Sequence, residues 1–198
     1  MSSADRVNWN LDSLRREACK MLKSKRVAHV LGVEEAAVRL ARRYGEDEDL
    51  AAAAAMLHDC TKRLDKDEQL KLCREFSIPV DSGELKNPQL LHAKTGAVIA
   101  QDRFGMPESV CSAIRWHTTG RPNMTRLEKI IYLADMIEPN RDFPGVDELR
   151  ALAFEDLDAA MAMALASSVK SLRRREMDVY KDTLEAYRWY SRNSELEE

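Results

Sequence analysis

Apolar residues recur at helical spacing through almost every segment of this chain. Leu11, Leu14 and Ala18 fall on one helical face, and Leu127 and Ile130 repeat the spacing much later. Recurrence every three or four residues is typical of amphipathic helices. No segment alternates apolar and polar residues as a half-buried strand does, and Gly (7) and Pro (6) are scarce among the 198 residues. The sequence therefore predicts an all-α fold.

One helical stretch is more apolar than the others. Residues 50–57 are rich in alanine and lead directly into His58-Asp59. Alanine at successive positions lets other helices pack closely from several sides, so we expect this helix to be central and buried. If it continues past Asp59, Lys62 projects from the same side as the carboxylate.

Polar caps predict where several helices begin. Ser24, Asp65 and Thr125 each precede an apolar helical pattern and are predicted N-caps. Pro107 fits the first turn of another helix. Residues 146–189 are expected to form two longer helices.

The domain organisation follows from length and composition. With 198 residues, 44% hydrophobic and 33% charged, the chain suits one globular domain with an appended helix. We expect a helical bundle over residues 24–192, an N-terminal helix within 1–23 packed on it, and an acidic tail at 193–198.

Composition also limits the partners. A net charge of −3 gives no basic surplus for nucleic acid, and no apolar run is long enough for a membrane span or a signal peptide. Four scattered cysteines without CxxC spacing indicate reduced thiols and a cytoplasmic protein. Met161 and Met163 suit either core or dimer packing, so a homodimer stays open.

All four histidines form an ordered series with two aspartates. The series is His29, His58, Asp59, His92, His117 and Asp135. Imidazole and carboxylate suit a first-row transition metal, and six such groups are enough for two ions with open positions. A single histidine on an apolar face is more often a hydrogen-bonded core residue, so the metal hypothesis depends on the joint pattern. Asp135 strengthens it, because a buried unpaired carboxylate costs roughly several kcal/mol and needs a cation nearby.

The series resembles a known family. A His, a His-Asp pair and a late Asp in a helical domain resemble the HD superfamily of metal-dependent phosphohydrolases, and the two extra histidines resemble its binuclear branch. The segments that look like the YqeK-type group of bacterial symmetrical bis(5'-nucleosyl)-tetraphosphatases are 26–33, 57–62, His117-Thr118-Thr119-Gly120, 132–141 and Phe143-Pro144-Gly145-Val146. The resemblance covers roughly residues 24–190.

The resemblance implies a single HD-domain bundle and a reaction. Enzymes of this group cut diadenosine tetraphosphate in the middle of its phosphate chain and release two ADP. Two divalent ions are implied, with iron first and manganese, cobalt, nickel or zinc as alternatives, and a hydroxide held by the metals is the expected nucleophile. His29, His58, Asp59 and Asp135 would hold one ion, and Asp59, His92 and His117 the other.

Phosphate contacts are expected beside the metals. The predicted set is Arg26, Lys62, Thr118, Thr119, Gly120 and Arg141. Lys62 and Arg141 would offset phosphate charge during catalysis at Asp59. The alternative is that each is a solvated surface residue with no role in the site. Trp116 and Phe143 suit either base stacking or the core.

Two other functions stay open. The same metal chemistry could act on a mononucleotide, an alarmone or a cyclic dinucleotide. A nucleotide-binding regulatory module with a structural metal is the alternative outside enzymes. A small-molecule nucleotide is the expected ligand in every case.

Overall fold

The computed structural model describes residues 10–195, which form helices joined by turns and loops, with no strand in that range. In chain order these are α1 (Leu11–Met21), α2 (Ser24–Tyr44), α3 (Glu48–Leu57), α4 (Lys66–Glu75), α5 (Ser82–Lys86), α6 (Leu91–Phe104), α7 (Glu108–Trp116), α8 (Arg126–Ile137), α9 (Val146–Glu155), α10 (Leu157–Arg174) and α11 (Lys181–Glu195). A short 3-10 turn, Pro88–Leu90, leads into α6. The predicted all-α fold is confirmed.

Helix α3 lies at the centre of the bundle. Every residue from Ala51 to Leu57 is at most 1% exposed. Helices α1, α2, α7 and α8 all pack on α3, which the methyl-sized side chains permit. The prediction of a central, buried helix is confirmed, but α3 ends at Leu57 and turns follow through residue 63. The helix therefore stops before Lys62, so the condition under which Lys62 would project from the same helical side as Asp59 is not met.

Side-chain caps begin most of the predicted helices. Asp65 starts α4 and Thr125 starts α8, each in a reciprocal capping box with a glutamate three residues later. Ser24 is not a cap, because it is already the first residue of α2 and Lys23 before it makes no side-chain cap bond. Pro107 immediately precedes α7 instead of lying in its first turn.

The C-terminal third contains three helices where the sequence predicted two. The carboxylate of Asp156 accepts hydrogen bonds from the backbone N–H groups of Asp158 (2.7 Å) and Ala159 (3.0 Å). This cap starts α10 directly after α9. Two helices therefore form where the apolar spacing of the sequence predicted one. Its signal in the sequence is an aspartate followed two residues later by a second one.

The ends of the chain bear on the predicted domain limits. Leu14 and Ala18 of α1 are buried in the same core as the rest of the bundle. Helix α11 extends into the predicted tail at 193–198, while residues 1–9 and 196–198 lie outside the described part of the chain. The limits 1–23, 24–192 and 193–198 stay predictions. No described helix combines the length and apolarity needed to cross a bilayer.

Candidate metal centre

Five helices bring the predicted ligands together. His29 lies in α2, His58-Asp59 directly follows α3, His92 opens α6, His117 directly follows α7 and Asp135 lies in α8. The early and late members meet, because Nε2 of His29 lies 3.2 Å from Oδ1 of Asp135. We call these six residues the His/Asp cluster.

Asp59 is shared by all four imidazoles. Its Oδ2 lies 3.8 Å from Nε2 of His29 and 3.5 Å from Nε2 of His58. Its Oδ1 lies 3.3 Å from Nε2 of His92 and 3.8 Å from Nε2 of His117. Each carboxylate oxygen therefore faces a different pair of histidines, as a bridging carboxylate would.

Three sets of ligand atoms in the cluster are compact enough to hold an ion. In each set the atoms lie within 4.8 Å of one another, and the sets are His29-His58-Asp59, His58-His117-Asp135 and Asp59-His92-His117. Most members are buried, so a bound ion would be largely shielded from water.

Backbone carbonyls orient three of the four rings. Nδ1 of His58 lies 2.6 Å from the carbonyl oxygen of Ala55, and Nδ1 of His117 lies 2.7 Å from that of Ile114. His92 makes the same bond to the carbonyl of Gln89. A carbonyl only accepts, so each Nδ1 donates its proton and each Nε2 presents a lone pair to the cluster.

Glu138 orients the fourth ring and was not predicted from the sequence. Its Oε1 lies 3.1 Å from Nδ1 of His29, and the side chain is 2% exposed. Glu138 comes directly after α8, where it precedes Pro139 and shows no helical periodicity. A Cβ at Gly32, one turn after His29, would lie 2.5 Å from Oε2 of Glu138, so glycine makes room for this carboxylate.

The donor atoms fit a cation. Nε2 of His29 and Nε2 of His58 are buried and make no hydrogen bond, despite the carboxylates nearby. An unsatisfied buried polar group costs about 1–3 kcal/mol, which a shared cation would remove. The Nε2 atoms of His92 and His117 lie 3.1 Å apart, and their partners are the hydroxyl of Thr118 and, for His92, the ammonium of Lys62 at 3.0 Å.

Two of the imidazoles and both aspartates of the centre have the charge states that metal ligation needs. Burial lowers the pKa of His92 to about 4 and lowers that of His117, which keeps both imidazoles neutral. Burial opposes ionisation of Asp59 and Asp135, but nearby histidines outweigh it and hold both pKa values well below the usual range. At His58 burial is likewise outweighed, here by the charge of Asp59, and the pKa is raised. A cation bound at Asp59 would cancel that effect.

Three half-buried cations contact the cluster acids. The guanidinium of Arg26 pairs with Asp59, and that of Arg141 donates to Oδ1 of Asp135 at 2.5 Å. The ammonium of Lys62 lies 3.8 Å from Oδ1 of Asp59 despite the end of the helix. We call Arg26, Lys62 and Arg141 the cluster cations, because each lies against an acid of the cluster.

The predicted loop residues divide into two kinds. The hydroxyl of Thr118 lies 3.0 Å from Nε2 of His117 and 3.2 Å from Nε2 of His92, so it faces the centre. The hydroxyl of Thr119 donates to the carbonyl of Gly120 at 3.0 Å. Gly120 has φ +67 and packs closely against helix α11, so a side chain there would be strained.

A cleft of about 590 Å³ opens beside the centre. Lys62, Thr118 and Arg141 line it, as does Phe143. Trp116 lines a different cavity and stacks under the guanidinium of Arg115 at 4.3 Å. Of the two predicted aromatic candidates, only Phe143 lies in the cleft that opens on the cluster.

This helical bundle with its buried His/Asp cluster belongs to the HD domain family, whose model matches residues 26–140. All six cluster residues fall within the matched range. The family and the buried cluster indicate that the chain binds divalent metal.

Similar proteins cover nearly the whole chain. A "Bis(5'-nucleosyl)-tetraphosphatase, symmetrical" of Bacillus subtilis is 41% identical over 88% of this chain and 96% of its own length. The protein of the same name from Halalkalibacterium halodurans is 44% identical over 84% and 89%. A crystal structure of a predicted HD superfamily hydrolase "involved in NAD metabolism" from Clostridium acetobutylicum superposes with a TM-score of 0.89 at 39% identity, covering 93% of this chain and 98% of that one.

Proposed function

We propose that the chain hydrolyses bis(5'-nucleosyl) tetraphosphates symmetrically. Water adds to one of the two central phosphorus atoms, the central anhydride bond breaks, and two nucleoside diphosphates leave, which are two ADP from diadenosine tetraphosphate. The observation that carries the proposal is Asp59, whose two oxygens face separate pairs of imidazoles beside three cations. The names of the relatives support the choice of substrate.

The cluster would hold two divalent ions. We assign His29, His58, Asp59 and Asp135 to one ion and Asp59, His92 and His117 to the other. Iron is our first choice, with manganese, cobalt, nickel or zinc compatible with the same ligands. When bound, such ions supply activation of water and neutralisation of phosphoryl charge.

The chain's own cations would orient the tetraphosphate. Lys62 and Arg141 now pair with cluster acids, and both also line the cleft. Once metal balances those acids, the ammonium and the guanidinium become available to phosphate oxygens. We propose both as catalytic residues together with Asp59, and Arg26 as a substrate contact.

Thr118 would complete the phosphate site from the loop. Its hydroxyl already faces His92 and His117, so it can donate to a phosphate oxygen held beside them. Contact of Thr119 and Gly120 with the substrate stays a prediction, because the contacts observed for both residues are with other parts of the chain.

Product analysis tests the function. We expect metal-loaded protein to convert diadenosine tetraphosphate into ADP alone, whereas ATP plus AMP would contradict symmetrical cleavage. Asp135→Asn should lower kcat/KM by roughly a hundredfold or more, because it weakens a metal ligand. Asp142→Asn, at an exposed neighbouring position, is the matched control and should leave the rate unchanged.

A substrate panel separates symmetrical tetraphosphate hydrolysis from the other functions that the same metal chemistry allows. Mononucleotides, an alarmone and a cyclic dinucleotide should all give a lower kcat/KM than the tetraphosphate. A regulatory module would instead bind nucleotide without turnover, and His58→Ala would then change no rate.

We also propose a cytoplasmic location. All four cysteines are free, and three of them are buried, which suits a reducing compartment. Dimer formation and the lack of nucleic-acid binding stay predictions.

A further inference from the structure

A second group of cations lines the cleft away from the cluster. These residues come from the last turns of α10 and are Lys170, Arg174 and Arg175. We call them the rim cations. Lys170 and Arg174 are four residues apart and share one face of the helix, and Arg175 follows at its C-cap. Arg173, between them in sequence, does not line the cleft.

The rim cations are exposed and have no carboxylate partner among residues 10–192, whose side chains the structure describes. Other cations of this bundle do pair, for example Lys129 with Asp158 at 2.7 Å. Three unpaired positive charges on one wall make the cleft attractive to an anion.

Helix α10 packs on α8, the helix that carries Asp135. Ser168 of α10 lines the same cleft as the rim cations. Arg174 follows six residues later, which corresponds to about 9 Å along the helix axis. The rim cations therefore line the same cleft as Lys62, Thr118 and Arg141, which contact the cluster.

We infer that the rim cations bind the phosphates of the substrate half that lies outside the metal centre. The inference rests on the proposed function, in which the central anhydride bond is cut. Two phosphates then extend on each side of the reacting bond, and the cluster cations serve only the middle. The same cleft is also lined by Tyr180 and Phe143, aromatic side chains of the kind that stack on a base. The rim would therefore favour long dinucleotides over short phosphates.

Helix stability offers a competing role for the same residues. Cations in the last turn of a helix interact favourably with its partial negative charge. If the rim cations only stabilised the helix, their substitution would lower thermal stability and leave substrate binding unchanged. A role in substrate binding predicts a change in KM instead.

The test compares the double variant Arg174→Ala/Arg175→Ala with Arg173→Ala as matched control. Steady-state rates on diadenosine tetraphosphate should show a KM raised by roughly tenfold in the double variant, with kcat within about twofold of wild type. The difference should shrink as ionic strength rises from about 0.05 M to about 0.5 M, because exposed charges are screened. Inhibition by inorganic phosphate, which is too small to reach the rim from the centre, should be equal in all three proteins.

Two results would overturn the inference. One is an unchanged KM in the double variant, with or without a lower Tm. The other is an equal rise in KM for Arg173→Ala, which would indicate a general effect of charge. If the wild type does not turn over the tetraphosphate, the proposed function fails, and calorimetric binding of diadenosine tetraphosphate to the same proteins then tests the rim alone.

Discussion

At the scale of single residues, the metal centre depends on the bonds that hold its rings. Each imidazole uses Nδ1 to donate to an oxygen outside the cluster, which leaves Nε2 for the ion. Glu138 differs from the other three acceptors because it is a charged side chain. Its carboxylate also accepts from the backbone N–H of Asn140 at 2.7 Å, so the chain after α8 holds it in position.

We expect Glu138→Gln to weaken metal binding. The substitution keeps the size of the side chain but removes the charge that holds the proton on Nδ1 of His29. Loss of such an outer contact lowers metal affinity by about tenfold to a hundredfold. Competition with a chelator of known affinity measures the change. Glu148→Gln, at an exposed position nearby, is the control, and equal affinities in the two variants would contradict the role of Glu138.

At the scale of helices, α3 is the element that positions the reaction centre. It carries His58 and Asp59 at its C-terminal end and is enclosed by neighbours on all sides. Alanines 51–55 leave little space between the backbones, so the position of the His-Asp pair depends on the absence of larger side chains.

Ala53→Leu should therefore be costly. Overpacking a filled core typically lowers the free energy of unfolding by about 1–3 kcal/mol, and here it should also displace the metal ligands at the end of α3. Urea unfolding and metal content measure the two effects. Ala151→Leu, at an exposed position of α9, makes the same change without crowding and should be nearly neutral. If the Ala53→Leu variant kept its full stability and metal content, the neighbours of α3 would have space for the larger side chain, which would contradict the close packing inferred here.

Local chemistry made much of this architecture predictable. The caps at Asp65 and Thr125 and the buried alanine run depend on neighbouring residues alone, so the sequence was sufficient for them. The break before α10 was missed because helical periodicity continues across Asp156. The six cluster residues were predicted as a joint pattern of histidines and aspartates. Glu138 belongs to no such pattern, and only the tertiary fold places its carboxylate against His29.

At the scale of the whole molecule, the centre joins parts of the chain that are far apart in sequence. The six cluster residues, which we propose as the metal ligands, come from α2, α6 and α8 and from the ends of α3 and α7. The unfolded chain cannot hold the ligands in this arrangement, so an ion binds the native state far better. Metal binding should then contribute directly to the stability of the bundle.

Removal of metal should lower the melting temperature. An ion present at about a hundred times its Kd adds roughly 2.7 kcal/mol, which corresponds to about 5–11 °C for a chain of this size. Calorimetry of chelator-treated protein, with and without added manganese or ferrous iron, measures the shift. His58→Ala should show a smaller shift than wild type. A melting temperature that does not respond to metal in the wild type would contradict a centre built from these helices.

The anchoring of three imidazoles to carbonyls three residues earlier has a consequence for engineering. The main chain fixes the direction of these three rings. Substitution of a neighbouring side chain therefore does not readily rotate them. Anyone who wishes to alter which ion this scaffold prefers would gain little from repacking around the rings. The adjustable groups are the two aspartates, where a longer or neutral side chain changes ligand reach and charge while the imidazole frame stays in place.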